Sequence, residues 1–242
     1  MVVILVYHNI SNAPFFDLTS VSPKRFKKDM ELIQGLDLRC VGIGELLSTT
    51  DKSGLVGLGF DDGYKDIVEF ALPILNSLNF KATVFPVAGY IGKKSGWDPF
   101  LGKRKFHLDR NNLNELIKLG FELGSHTMTH RNLTKLPPKE LQYELQKSFE
   151  ILSDIAGKPI DIVSFPFSIY SEDVLRKAFD IGYKYCLTIR GPIYKYDRVI
   201  RGIPVYRYEP SLFMKLKLRQ SKLEYLRTGF ISSFSRFSAM LR

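Results

Sequence analysis

Apolar stretches of strand length alternate with amphipathic helical stretches about six or seven times along this chain, and that rhythm limits the possible folds more than any other feature. Val2 to Val6 is continuously apolar, the pattern of a strand buried on both faces. Ser22-Pro23 reads as an N-cap and first helical residue, with Phe26, Met30 and Ile33 on the inner face of a helix to about Gln34. Further strands are expected at Leu38 to Val41, Leu55 to Phe60, Ala82 to Val87, Gly120 to Leu123, Ile160 to Phe165, Tyr185 to Ile189 and Val199 to Tyr206. Helices are expected at Gly44 to Ser48, at Lys65 to Leu78 with a kink at Pro73, at Asn111 to Leu119, from Pro137-Pro138 through Ala156, and at Glu172 to Ile181 before Gly182. A chain of 242 residues holds this as one large α/β domain, its parallel strands closed into a barrel.

Within that frame, Leu55 to Phe60 stops abruptly at Asp61-Asp62, and Gly63 gives the backbone freedom to turn away. Adjacent carboxylates repel, so they are best tolerated where a cation or a proton is shared. Asp-Asp-Gly is also an ordinary turn sequence. A second cluster lies about sixty residues on, in Gly124-Ser125-His126-Thr127-Met128-Thr129-His130. Two of the four histidines sit four apart there, a spacing that puts both imidazoles on one face of a helical turn, within reach of a single ion. Unrelated surface histidines would give the same spacing. One Asp with two His is the ligand set of a hydrolytic metal site that keeps positions open for water and substrate.

Phe60-Asp61-Asp62-Gly63 resembles the first motif of the polysaccharide deacetylases (carbohydrate esterase family four), and Ser125-His126-Thr127-Met128-Thr129-His130 resembles their second. The similarity runs from Tyr7-His8 to about Tyr208, through Ala71-Leu72-Pro73-Ile74-Leu75 and Phe80-Lys81-Ala82-Thr83-Val84-Phe85. It implies an irregular (β/α) barrel of fewer than eight repeats over 1–208, followed by a basic amphipathic helical tail over 209–242. It implies Asp62, His126 and His130 as ligands of a divalent metal ion, zinc foremost, and Asp61 as the general base. The backbone N–H of Phe167 is the implied oxyanion donor. The reaction implied is removal of an N-acetyl or N-formyl group from an amino sugar in a glycan; a catalytically weak or inactive glycan-binding module that keeps the metal is the other reading.

Two departures qualify the match. Members with a late leucine-histidine motif take their general acid from it, yet no histidine follows His130; Tyr7-His8 instead resembles the branch with a Tyr-His pair on the first strand, which makes His8 the acid. The stretch Val163-Ser164-Phe165-Pro166-Phe167-Ser168 lacks the arginine that orients the base in many members, with Ser164 a small residue in that region.

Composition narrows the rest. The two cysteines, Cys40 and Cys186, lie far apart in candidate strands and read as buried thiols, with no ligand spacing between them. The apolar start lacks a basic n-region and a cleavage site and is too short to span a bilayer, so a first core strand in a cytoplasmic protein is expected. Of the formal charge of +10, +6 falls between Arg207 and Arg242. There Leu212, Leu216, Leu223, Leu226, Phe230, Phe234, Phe237 and Leu241 drift around one face of a helix, suited to peripheral contact with an anionic membrane through 211–242 or to packing across the barrel bottom or against a second subunit. The first would make a lipid-linked substrate sensible. Aromatics are not interleaved with a basic groove, so nucleic acid is not an expected partner. Trp97 and Tyr64 are candidate substrate contacts, Trp97 as a stacking platform or a plug at the barrel edge. His107, amid Lys103, Arg104 and Lys105, reads as a phosphate contact or as part of a solvated basic loop.

Overall fold

The computed structural model describes residues 2–12, 19–96, 105–189 and 196–219. Its strands and helices alternate as β1 (Val3–Tyr7), β2 (Asn9–Ile10), β3 (Ser20–Val21), α1 (Pro23–Gln34), β4 (Arg39–Val41), α2 (Ile43–Ser48), β5 (Leu55–Phe60), α3 (Leu72–Ser77), β6 (Thr83–Val84), α4 (Arg110–Lys118) and β7 (Glu122–Leu123). The chain continues with α5 (Pro138–Ala156), β8 (Ile162–Ser164), α6 (Glu172–Ile181), β9 (Tyr185–Thr188), β10 (Val199–Arg201), β11 (Ile203–Pro204) and α7 (Ser211–Leu218). The limits of α1, α5 and α6 fall where capping residues and periodicity put them. Ser22 caps α1 by accepting from the Arg25 N–H at 3.2 Å, and Gly157 ends α5 at φ 67°, the left-handed conformation glycine adopts without penalty.

The sheet is parallel throughout. Six strands form one sheet in the order β11-β1-β5-β6-β7 with β4 also paired to β5, three form a second in the order β10-β9-β8, and β2 pairs with β3. The two larger sheets meet at a parallel bridge between Ser125 and Val163 and through Gly202, which separates β10 from β11. No barrel closure is detected among the described residues, so the architecture is a parallel α/β fold with helices packed on it. The strand expected over Ala82 to Val87 is shorter because Pro86 has no N–H with which to continue the ladder. Pro73 makes its mark as well: the turn before α3 is π-helical over Ile67–Ala71, widened ahead of a residue that cannot donate.

Alternation along β1 divides the core in two. Val3, Leu5 and Tyr7 enter the large cluster beneath the helices, where Phe26, Met30 and Ile33 of α1 are fully buried, each worth about 1.5–3 kcal/mol over exposure. Ile4 and Val6 face the other way, onto a smaller cluster with Val41, Ile43, Leu46, Phe85, Ile162 and Leu187. Because both sheets contribute to it, this inner cluster locks them together. Phe85 fits only because residue 124 is glycine, where a Cβ would stand 2.3 Å from its ring. Cys40 and Cys186 are buried free thiols, and burial pushes the Cys186 thiol up to about 12.

The first turns of the expected tail pack on the domain. Met214 of α7 is buried, and the Lys217 ammonium, counted above among the tail's basic residues, is sequestered. It donates to the Pro204 carbonyl at 2.7 Å and to Glu209 Oε1 at 3.2 Å. Leu212, at the head of the expected apolar line, is instead 66% exposed. Most of that line, and with it the membrane expectation, lies in 220–242, outside the described residues. No helix among the described residues is long and apolar enough to cross a membrane. Lys217→Met is expected to destabilise the protein by about 3 kcal/mol in denaturant unfolding, because it leaves the buried Glu209 carboxylate without this cation. Adding Glu209→Leu should recover most of that loss; a single variant as stable as the wild type would show the pair to be inconsequential.

Candidate active site

Parallel register places the candidate residues at one end of the sheet. Tyr7 of β1 pairs with Phe60 of β5, Phe60 with Val84 of β6, and Val84 with Leu123 of β7. The residues that follow, His8, Asp61, Asp62 and the histidine segment, therefore emerge together at the carboxyl ends of neighbouring strands, where α/β folds hold their sites. The Asp61 N–H donates to the Tyr7 carbonyl at 2.9 Å, tying the two strand ends to each other.

Asp62, His126 and His130 converge, all buried. Asp62 Oδ1 lies 3.5 Å from His126 Nε2 and 3.4 Å from His130 Nε2, and the three donor atoms stand within 4.8 Å of one another. Those separations are long for hydrogen bonds, but two ligand atoms about 2.0–2.1 Å from a shared tetrahedral ion are about 3.4 Å apart. An ion pair is not the better description of the His126 contact: burial pushes that imidazole down to about 4, so it is neutral at pH 7. Its Nδ1 donates to the Ser164 carbonyl at 2.8 Å, which turns the Nε2 lone pair toward Asp62, as ligation requires. The donor set and its spacing fit a divalent cation.

The two histidines do not share a helical turn, as their spacing suggested. The segment is an irregular loop with Thr127 (φ 66°) and His130 (φ 59°) in the left-handed region. That unfavourable backbone is held from outside. Glu144 of α5, itself buried, accepts from the Met128 N–H at 3.0 Å, from the Thr129 N–H at 2.8 Å and from the Thr129 hydroxyl. Ser125 Oγ accepts from the Thr127 N–H at 3.1 Å and bonds Ser148 Oγ at 2.9 Å. In the sequence Glu144 carries one signal of this role, a carboxylate on the buried stripe of an amphipathic helix.

Asp61 is buried beside this cluster. Burial pushes its carboxyl up from 3.8 to about 6, against the opposing pull of His8 and a hydrogen bond from the Ser164 side chain. Ser164 thus serves the site twice, through its carbonyl to His126 and its hydroxyl to Asp61, in the stretch that lacks the expected arginine. Phe167 stands at the rim at φ 57°, its ring edge-on to that of His130 with centroids 4.7 Å apart. Tyr64 is only 2% exposed and packs on the His107 ring, with centroids 4.8 Å apart. His107 is likewise 3% exposed, so neither the solvated loop nor the phosphate contact describes it. Trp97 lies outside the described residues.

The fold and the cluster together define a parallel α/β protein that presents a carboxylate and two imidazoles at its strand ends, beside a second, protonatable carboxylate. The chain belongs to the polysaccharide deacetylase family, whose profile matches residues 48–186. It is 28% identical over 214 residues to the Bacillus subtilis polysaccharide deacetylase homologue YxkH, covering 86% of this chain and 72% of that protein. It is 26% identical over 183 residues to the poly-β-1,6-N-acetyl-D-glucosamine N-deacetylase of Staphylococcus aureus, covering 69% of this chain and 60% of that enzyme. In fold it is similar to the Streptococcus pyogenes deacetylase PplD, solved with acetate, at a TM-score of 0.77 and 20% identity, covering 89% of this chain and 97% of that one.

Proposed function

We propose that this protein is a metal-dependent hydrolase that removes N-acetyl groups from amino sugars in a glycan, with β-1,6-linked poly-N-acetylglucosamine as the first substrate class to try. The observation that carries the reading is the convergence of Asp62, His126 and His130 at ligand spacing beside Asp61, whose carboxyl is held near the range a general base needs. The Staphylococcus relative's substrate supports the choice of glycan, although this chain spans 60% of that enzyme's length.

Asp62, His126 and His130 would hold the ion, zinc being the best match to two imidazoles and a carboxylate. When bound, it polarises the amide carbonyl and makes water a better nucleophile. Asp61 takes the proton from the attacking water as its oxygen bonds the carbonyl carbon. The Phe167 N–H is the proposed donor to the oxyanion that develops there. His8, on the neighbouring strand end, returns a proton to nitrogen as the C–N bond breaks, so that acetate and a free amine leave.

Purified protein should release acetate from this polymer, lose that activity on dialysis against a chelator, and regain it with zinc or another divalent transition ion. Stoichiometric metal with no acetate or formate release from any N-acylated hexosamine substrate, and no effect of Asp61→Asn on glycan binding, would favour a glycan-binding module instead.

A further inference from the structure

Asp62 sits at the centre of a three-residue turn, closed by the Gly63 N–H donating to the Asp61 carbonyl at 2.9 Å, with φ 66°. A γ-turn of this hand is rare and strained, and survives only where its surroundings over-determine it. His107 Nδ1 lies 2.9 Å from the Asp62 carbonyl. A carbonyl can only accept, so Nδ1 carries the proton and donates.

His107 is built in from both sides. The Lys65 N–H donates to the Phe106 carbonyl and the Leu108 N–H to the Gly63 carbonyl, both at 2.9 Å, which zips 106–108 to the residues leaving the Asp62 turn. On the other edge the His107 N–H donates to the Lys93 carbonyl at 2.9 Å and the Gly92 N–H to the Leu108 carbonyl at 3.0 Å. The ring is flanked by Tyr64 and Tyr90, with centroids 4.8 and 5.6 Å away. Packing alone would accept any flat apolar ring here; the contact with Asp62 needs a donor.

We infer that His107 is a positioning residue of the candidate metal centre: its Nδ1–H bond to the Asp62 carbonyl holds that residue in its left-handed turn, and so sets how tightly the site grips a divalent cation. The inference rests on the reading of Asp62, His126 and His130 as ligands. His107 stands outside the converging group of ligand atoms, which is Asp62, His126 and His130.

The test is zinc affinity of the chelator-stripped full chain, measured by competition with a chromophoric chelator, alongside circular dichroism to show folding. His107→Phe keeps an aromatic ring in the stack and removes the donor, and it should weaken zinc binding by roughly 10–100-fold. His107→Asn loses the stack but keeps an N–H near the Nδ1 position, and it should bind within about threefold of the wild type. A residue that only packs gives the reverse order. His107→Phe within about twofold of wild-type affinity, or His107→Asn as weak as His107→Phe, overturns the inference. Should His107→Phe not fold, His107→Leu against His107→Asn, nearly equal in shape, carries the same comparison. Wild-type protein that binds no zinc overturns both the metal reading and this one, whereas wild-type binding abolished by Asp62→Asn and unchanged by His107→Phe overturns this one alone.

Discussion

Asp61→Asn should lower acetate release by about 10²–10⁴-fold, leave metal content at the wild-type level and make the metal-free protein more stable at pH 8. The first effect is the loss of a general base. The last follows from burial. In the folded, metal-free chain the Asp61 carboxyl is raised from 3.8 to about 6. An acid whose folded value lies above its unfolded value costs nothing below about pH 4, where both states are protonated. It loses stability as pH rises through the interval and carries the whole cost above pH 6, on the order of 3 kcal/mol. Asparagine has no charge to bury and escapes that cost. Denaturant unfolding in the presence of a chelator should therefore separate variant and wild type at pH 8 and bring them together near pH 4. Equal stabilities at pH 8 would mean that Asp61 is solvated, and that burial does not prepare it as a base.

Asp62→Asn addresses the other carboxylate and should produce a different pattern. Asparagine tolerates the left-handed conformation at φ 66° better than alanine would, so the turn survives while the anionic ligand is lost. Bound zinc should fall to a small fraction of the wild-type stoichiometry, and turnover should fall on the order of 10³-fold, the several kcal/mol a Lewis acid contributes to such a reaction. Together the two variants assign the roles: Asp61→Asn retains metal without activity, and Asp62→Asn retains neither. Full metal occupancy in Asp62→Asn would remove Asp62 from the ligand set.

Much of this was legible in the sequence because it is local. Strand–helix alternation, the Ser22-Pro23 cap, the Pro138 start of α5 and the two short motifs depend on neighbours along the chain, and a sequence records neighbours. Features decided by distant pairings were not legible. His107 stands two residues after Lys105 in a basic stretch, and only the pairing of 106–108 with 63–65 and 92–95 buries it. The four-residue spacing of His126 and His130 suits a helical turn, yet two left-handed residues braced by Glu144 bring the rings together instead. Lys217 counted toward an exposed basic face until Glu209 and Pro204 enclosed it. Alternation suggested a closed barrel and the resemblance its irregular form of fewer than eight repeats; the strand pairings among the described residues establish the parallel α/β fold.

Ser164 has a longer-range consequence. Every amino acid brings the same main-chain oxygen, so His126 keeps its tautomer whatever stands at 164, whereas the tether on Asp61 belongs to the hydroxyl and can be erased by one codon change. Under the proposed function, ion binding and the chemistry of the base are thereby inherited through separable atoms of a single position. On that reading, descendants of this chain shed the reaction and keep the ion by one substitution at 164, a short evolutionary step from enzyme to lectin.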